Sequence, residues 1–525
     1  MNPSYSSLNR RTFLQLLGSS AAVLSLNACT SLPTQPPTDP ASPASLPQKG
    51  GTLRIVLPDD LTSLDPAVSI GIADVQFAFL LYNTLTRRSE GEAGAPIYPE
   101  LAESWEINED ATAYTFHLRQ NAVFQHGTPL TAKDVEYTIN RLLDPTLGAG
   151  IGNSLNMIEK IESIDDFTIS FHLKEPNVSL PFTLGGPGAQ ILPHDRSIDE
   201  LLQQPSGTGP FVLAERTPGE RIVLQRNPTY WDPERPYLDE IHLVVIPETA
   251  TQIAVLTSGA ADFLYTISLE SLPLLENAPE ITVLESLQGT YPIFVMRTDQ
   301  KPFDNPQVRQ AFKHAIDRNG LRAAMMQGRG AIGNDQPIAP GTPFWADIPP
   351  LSYDIQQAKS LLAEAGYPDG LEVVLFTTDM GGPRVNDAAV SIQEMLKAAG
   401  VTVTIEKIPA GTFWSETYMQ APFFISWWPV FSDPEGVLPL AYSSSGFYNE
   451  SGWSDPKVDE LIVAARGTQD VNQRKAIYAE IQQVISEQGG VIIPYVAPTL
   501  QAIRNSVQGH IPGARIVGQN LWLSA

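Results

Sequence analysis

Cysteine is all but missing from this chain of 525 residues, with Cys29 the single example. A lone thiol excludes an intramolecular disulfide and any zinc or iron–sulfur site built from several thiolates. Cations are scarce as well: 33 Lys and Arg stand against 58 Asp and Glu, for a formal net charge of −25. A surface of that sign repels polyanions, which excludes nucleic acid as the main partner. The one apolar run of any length, within residues 13–24, falls short of the roughly 20 residues that a bilayer crossing needs, so a polytopic membrane protein is excluded too. There is no G-x-S-x-G elbow, H-E-x-x-H pair, G-x-x-x-x-G-K-[ST] loop or EF-hand loop, and the usual hydrolase, ATPase and calcium-binding readings lose their support. His117, His126, His172, His194, His242, His314 and His510 are scattered without metal-ligand spacing and read as structural or solvated. Asp59-Asp60 and Asp165-Asp166 are carboxylate pairs, but the second lies between two strand patterns and reads as a hairpin turn. Neither an enzyme nor a cofactor or metal is expected. What is present, 42% hydrophobic and 17% charged residues, is the composition of an ordinary globular protein.

The N-terminus reads as an address. Residues 1–28 hold no acid, begin their basic region with Arg10-Arg11, and continue through the apolar run to small residues at Asn27-Ala28. This is the pattern of a secretory signal. Arg10-Arg11-Thr12-Phe13-Leu14 resembles the twin-arginine export motif, with Asn9 and Gln15 departing from its preferred flanks. Leu26-Asn27-Ala28-Cys29 resembles a bacterial lipobox, which makes Cys29 the expected lipidation site and the mature N-terminus. Residues 30–49 then carry six prolines among Ser, Thr and Ala, a tether that stays extended and reaches up to about 60 Å. The expected location is the cell envelope, on the extracytoplasmic (periplasmic) face, with the membrane touched only through the lipid anchor.

From residue 50 onward the pattern is that of one irregular α/β globule. Thr52–Leu57 is strand-like. Tyr114, Phe116 and Leu118 alternate with polar residues, as do Phe167, Ile169, Phe171 and Leu173, so both stretches predict half-buried strands. Between them Thr131-x-x-Asp134 reads as a capping box opening a helix with Val135, Ile139 and Leu142 inward. After residue 290 helix and strand alternate. Asn305-Pro306 starts a helix, stripes around Ala358–Ala365 and Ala389–Leu396 predict two more, and Val401–Ile405 predicts a strand. Two amphipathic helices follow, around Val458–Ala465 and Ile477–Ile485, and Val491–Tyr495 reads as a closing strand.

Several stretches then carry a resemblance. Gly50-Gly51-Thr52-Leu53-Arg54, Ser63-Leu64-Asp65-Pro66, Pro99-Glu100-Leu101-Ala102-Glu103-Ser104-Trp105 and Gly127-Thr128-Pro129-Leu130-Thr131-Ala132-Lys133-Asp134-Val135 resemble the solute-binding lipoproteins of peptide/nickel-type ABC importers. So do Gly207-Thr208-Gly209-Pro210-Phe211, Arg226-Asn227-Pro228-Thr229-Tyr230-Trp231, Val308–Phe312 with Ala315–Arg318, and Leu361–Tyr367. The resemblance implies a periplasmic-binding-protein-like fold of two α/β lobes around a ligand cleft with a hinge, plus an inserted third α+β domain. Carried onto this chain, lobe I is 50–89, 206–288 and 497–525, the inserted domain 90–205 and lobe II 289–496. The hinge falls near Ser286–Pro292 and Pro494–Pro498.

The same resemblance places Trp427, Trp428, Phe431 and Asp433 at the cleft, within Phe424–Pro434. Peptide-binding members carry an Asp three residues before the acidic-Pro pair, where it meets the solute's α-ammonium; here that position is Val430. An ammonium buried without a counter-charge would cost several kcal/mol, so a free amino end requires another acid, Asp433 or Asp74. Asp74 and Gln76 in lobe I, Tyr291 at the hinge and Arg384 in a Gly-Gly-Pro-Arg loop complete the ligand-binding candidates. The implied function is capture of a solute, first of all an oligopeptide, and its delivery as a monomer to permease subunits driven by cytoplasmic ATPases. A metal chelate, haem-type compound, oligosaccharide or opine-like conjugate stands as the alternative ligand, and an envelope hydrolase as a remote alternative.

Overall fold

The computed structural model describes residues 46–69, 71–89, 97–379 and 384–524. Contacts divide the chain into two units, Met1–Leu46 and Pro47–Ala525, and the second holds all the described strands and helices. The signal, Cys29 and most of the tether lie outside the described residues.

One 12-stranded mixed sheet organises this unit. From one edge its main path runs Val401–Lys407, Leu371–Thr377, Phe423–Pro429, Ile281–Met296, Tyr495–Arg504, Phe263–Leu264, Thr52–Leu57, Glu240–Val245, Arg221–Arg226 and Phe211–Thr217. Thr52–Leu57 is parallel to both its neighbours, while Ile281–Met296 is antiparallel to both Phe423–Pro429 and Tyr495–Arg504. Helices Pro306–His314, Ile355–Glu364, Val385–Ala398, Pro456–Gly467 and Val471–Gln488 cover the half of the sheet built after residue 281. Both of its faces are therefore buried: Phe423 and Ile425 enter one core, Phe424 and Trp428 the other.

A separate four-stranded antiparallel sheet holds Ala102–Ile107, Ala113–Leu118, Thr168–Leu173 and Ile158–Asp165 in that order. Helix Ala132–Leu143 closes its core with Val135, Ile139 and Leu142 fully buried. Local chemistry accounts for these elements. Thr131 N–H donates to Asp134 Oδ2 at 2.7 Å at the helix start, and Asp165 Oδ1 accepts from Phe167 N–H at 2.8 Å in the hairpin turn, the use of Asp typical of turns.

The helix begun at Pro306 runs to His314 with Ala315 as its cap, and Val308, Phe312, Ala315 and Ile316 enter one core. One reading needs correction. Val491–Tyr495 is not one strand. Val491–Ile492 pairs with Phe294–Val295, the chain breaks at Ile493-Pro494, and Tyr495 starts a new strand that crosses the sheet. Proline has no N–H to continue a ladder.

The crossing strands Ile281–Met296 and Tyr495–Arg504 share one irregularity, a register shift between Ser286 and Thr290. Gly289 sits in it because a Cβ there would stand 2.1 Å from the Ala497 carbonyl oxygen. Only glycine permits that approach.

Candidate functional site

The strand Phe423–Pro429 ends beside this irregular crossing. Tyr291 pairs with Trp428, Pro292 with Trp427 and Thr290 with Pro429, and Val430 N–H donates to the Gly289 carbonyl at 2.8 Å. Strand alternation separates the two tryptophans. Trp428 points with Phe424 into a core and is 9% exposed; Trp427 lies on the face of Phe423 and Ile425 but runs past their core and is 40% exposed. Trp428 packs on Phe431 at 6.2 Å and on Tyr448 at 6.0 Å, and Tyr448 stands edge-on to Phe447 at 4.8 Å. Phe447 is the most open aromatic described, at 78% exposure. Trp427, Tyr448 and Phe447 thus give this end of the sheet exposed aromatic surface, a feature that marks binding sites.

The other sequence candidates have different employment. Asp74 is buried and saturated. Its Oδ1 accepts from Thr62 N–H (2.7 Å) and Ser63 N–H (3.2 Å), and its Oδ2 from the Thr62 hydroxyl (2.5 Å) and Gly71 N–H (3.1 Å). Burial pushes this carboxyl up, but the hydrogen bonds win and hold it below its ordinary value. Gln76 spends its amide on the scaffold: Nε2 donates to Tyr265 Oη (3.0 Å) and the Ala514 carbonyl (2.9 Å), and Oε1 accepts from Ile516 N–H (2.8 Å). In this structure both side chains are spent on bonds within the scaffold.

Asp433 caps the turn Pro434–Gly436 by accepting from Glu435 N–H at 2.9 Å, and its other oxygen takes the Ser179 hydroxyl at 3.3 Å. Burial raises its carboxyl. Arg384, in the left-handed conformation at φ 52°, donates to Asp387 in its own helix at 3.0 Å and to the Ala324 carbonyl at 3.4 Å. Its guanidinium is committed there, and residues 380–383 of its loop lie outside the described residues. Neither Asp433 nor Asp74 is free to replace the acid missing at Val430. Tyr291 is buried, and its hydroxyl has no hydrogen-bond partner.

One residue was missed in the sequence. Glu450 lies behind the strand that carries the tryptophans, 4% exposed, and its Oε1 accepts from the Tyr418 hydroxyl at 2.7 Å and the Ser426 hydroxyl at 3.1 Å. Burial pushes its carboxyl up to about 7 against the pull of Tyr418, Ser426 and Trp428. Nothing local to Tyr448-Asn449-Glu450 announces this role, because the partners are 24 and 32 residues away.

The motif residues behind the resemblance form scaffold. Trp231 donates to Asn83 at 3.1 Å beneath the Arg119 guanidinium, Trp105 packs on the core of the four-stranded sheet, and Arg318 is buried against Asp335 at 2.6 Å. Among the described residues no three His, Cys, Asp or Glu side chains are grouped to hold a metal, and no helix is long and apolar enough to cross a membrane.

Comparison with known proteins agrees with this architecture. Residues 96–449 match the model of bacterial extracellular solute-binding proteins, family 5. The chain is 30% identical to the di/tripeptide-binding protein 2 of Pseudomonas aeruginosa over 90% of its own length and 94% of that protein. It is 27% identical to the heme-binding protein A of Haemophilus influenzae over 78% and 80% of the two chains. The solved structure of HbpA2 from Haemophilus parasuis superposes with a TM-score of 0.83 at 25% identity, covering 90% of this chain and all of that one. The chain belongs to the family 5 extracellular solute-binding proteins of peptide/nickel-type ABC importers, and is a binding protein rather than an enzyme.

Proposed function

We propose that this protein captures a peptide-like solute outside the cytoplasm and delivers it to the permease of an ABC importer. The observation that carries the reading is the exposed Trp427 surface beside the crossing strands, set in a chain that resembles a di/tripeptide-binding protein over nine-tenths of its length. Lobe I comprises 50–89, 206–288 and 497–525, the inserted domain 90–205 and lobe II 289–496, and the solute lies between the lobes near Trp427, Phe431 and Tyr448. A core built within residues 67–191 supports the separate inserted domain. Solute contacts to both lobes favour a closed state that docks on the permease, the only way a ligand can drive such a change.

A haem-type or other flat solute is the second reading, favoured by the open aromatic rings and by the heme-binding relative. Native mass spectrometry of protein purified without denaturation decides between them. A ladder of short-peptide masses is expected; one discrete non-peptide mass overturns the peptide reading.

The protein is further proposed to be a monomeric lipoprotein, anchored through Cys29 after export on its twin-arginine-like signal. Replacing Cys29 by Ser is expected to move it from the membrane fraction to the soluble fraction of fractionated cells. Continued membrane association would refute the anchor.

A further inference from the structure

Residues 67–191 build a core of their own, yet the chain there reaches the segment after residue 430 through polar groups. Loop 174–179, which follows strand Thr168–Leu173, presents two donors. Val178 N–H gives to the Arg466 carbonyl at 2.9 Å, and the Ser179 hydroxyl gives to Asp433 Oδ2 at 3.3 Å. The hairpin turn at 108–112 presents two acceptors, the carbonyls of Asn108 and Glu109, to the Gln469 amide at 2.7 and 3.0 Å. Ser179 and Asp433 are both buried.

The side that carries loop and hairpin is built in advance. Asn177 N–H donates to the Ala111 carbonyl at 2.8 Å, the Tyr114 hydroxyl to the Asn177 carbonyl at 2.9 Å, and Ser179 N–H to Asn177 Oδ1 at 2.8 Å, so the two form one ledge. Asn108 Oδ1 accepts from the N–H groups of Thr112 and Ala113 and fixes the turn around Ala111, which is held in the left-handed region at φ 53°. A non-glycine residue stays there only where its surroundings impose it. The facing side offers a group in need of a partner: the Arg466 carbonyl belongs to the last turn of helix Pro456–Gly467, where carbonyls have no intrahelical N–H. The apolar cores on the two sides are separate clusters. A contact made of a few hydrogen bonds can form and break, because water replaces each one at small net cost.

We propose that this ledge is a latch: it holds lobe II closed at Asp433, Arg466 and Gln469, keeps most of the solute-free population closed, and releases when the lobes part to admit solute. The proposal rests on the division into lobes given above. Because the latch bonds lie within the chain, they favour closure for any solute alike. Their loss shrinks the closed fraction and weakens the apparent affinity for every solute by the same factor.

A disulfide reads the contact directly. A Cβ placed on Gly467 stands 3.5 Å from Pro176 Cβ, a separation that a disulfide accepts, and both positions are exposed. In the full chain with Cys29→Ser, the substitutions Pro176→Cys and Gly467→Cys supply the only two thiols, and diamide oxidises them by taking up two electrons and two protons. Cross-linking of solute-free protein is expected, and is expected to slow at least threefold when Ser179→Ala and Gln469→Ala are added. An equal rate with and without those two substitutions overturns the latch, as does a folded parent that does not cross-link. Should the thiol variant not fold, small-angle scattering of solute-free protein carries the test: Ser179→Ala with Gln469→Ala is expected to raise the radius of gyration above that of wild type, and an unchanged radius overturns the latch. Either failure leaves the capture reading standing, since that reading is decided by whether wild type retains solute masses.

Discussion

Trp427→Ala is expected to weaken solute binding by about 10- to 100-fold with little change in stability, whereas Trp428→Ala is expected to lose about 3–5 kcal/mol of folding stability. The two residues are neighbours of identical chemistry, so the contrast isolates their surroundings. Trp427 stands past the edge of the core that receives Phe423 and Ile425 and is 40% exposed, and truncating it opens no interior cavity. What it loses is a flat apolar surface for the solute. Trp428 is 9% exposed and in ring contact with Phe431 and Tyr448, so its removal leaves a void among large rings that do not collapse to fill it. Titration calorimetry with the solute recovered from the wild-type protein measures the first effect, and urea denaturation the second. Wild-type affinity in both variants would show that the solute binds elsewhere.

Asp335→Ala is expected to cost about 3–5 kcal/mol, as removal of one partner from a buried ion pair does. Asp335 is fully buried, accepts from Arg318 Nη2 at 2.6 Å and Nε at 3.2 Å, takes Ile493 N–H at 2.9 Å, and lies 4.0 Å from the buried Lys313 ammonium. Lys313 also donates to the Ser486 carbonyl at 2.7 Å, near the end of helix Val471–Gln488. One carboxylate thus compensates two cations and ties two helices to the point where the chain enters the crossing strand. Without it both cations stay buried and uncompensated.

The loss also depends on pH. Burial lowers the Lys313 ammonium to about 8, with Asp335 pulling the other way. Losing Asp335 lowers it further, so the native variant sheds this proton at a lower pH than wild type. Between those two values the variant binds fewer protons in its native state, and its deficit narrows as pH rises toward about 8. The broken Arg318–Asp335 contact adds a cost that Lys313 does not share, so the deficit does not vanish. Urea melts of both proteins between pH 6 and 9 measure this, and a deficit independent of pH would mean that Lys313 is not coupled to Asp335.

The sequence by itself determined whatever depends on near neighbours. The capping box at Thr131–Asp134, the turn at Asp165, the start of the helix at Pro306 and the buried stripe Val135, Ile139 and Leu142 are patterns of i+2 to i+7 spacing, and the backbone enforces them locally. The order of such elements was enough to indicate an α/β globule, and the resemblance carried by the motifs implied the solute-binding architecture and the segment from Phe424 to Pro434. Tertiary structure alone decided which side chains in that segment are available. Strand alternation predicts that Trp427 and Trp428 point oppositely, but which face is covered depends on helices 30 to 60 residues later and on a strand more than 130 residues earlier. Asp74 and Gln76 read as open polar groups until Thr62, Gly71, Tyr265 and Ala514 consume their hydrogen-bonding capacity. Glu450 carries the converse lesson. Its carboxyl is buried because Tyr418 and Ser426 are brought to it by chain 32 and 24 residues away, and burial and pairing, the two quantities that set its chemistry, exist only once those segments pack.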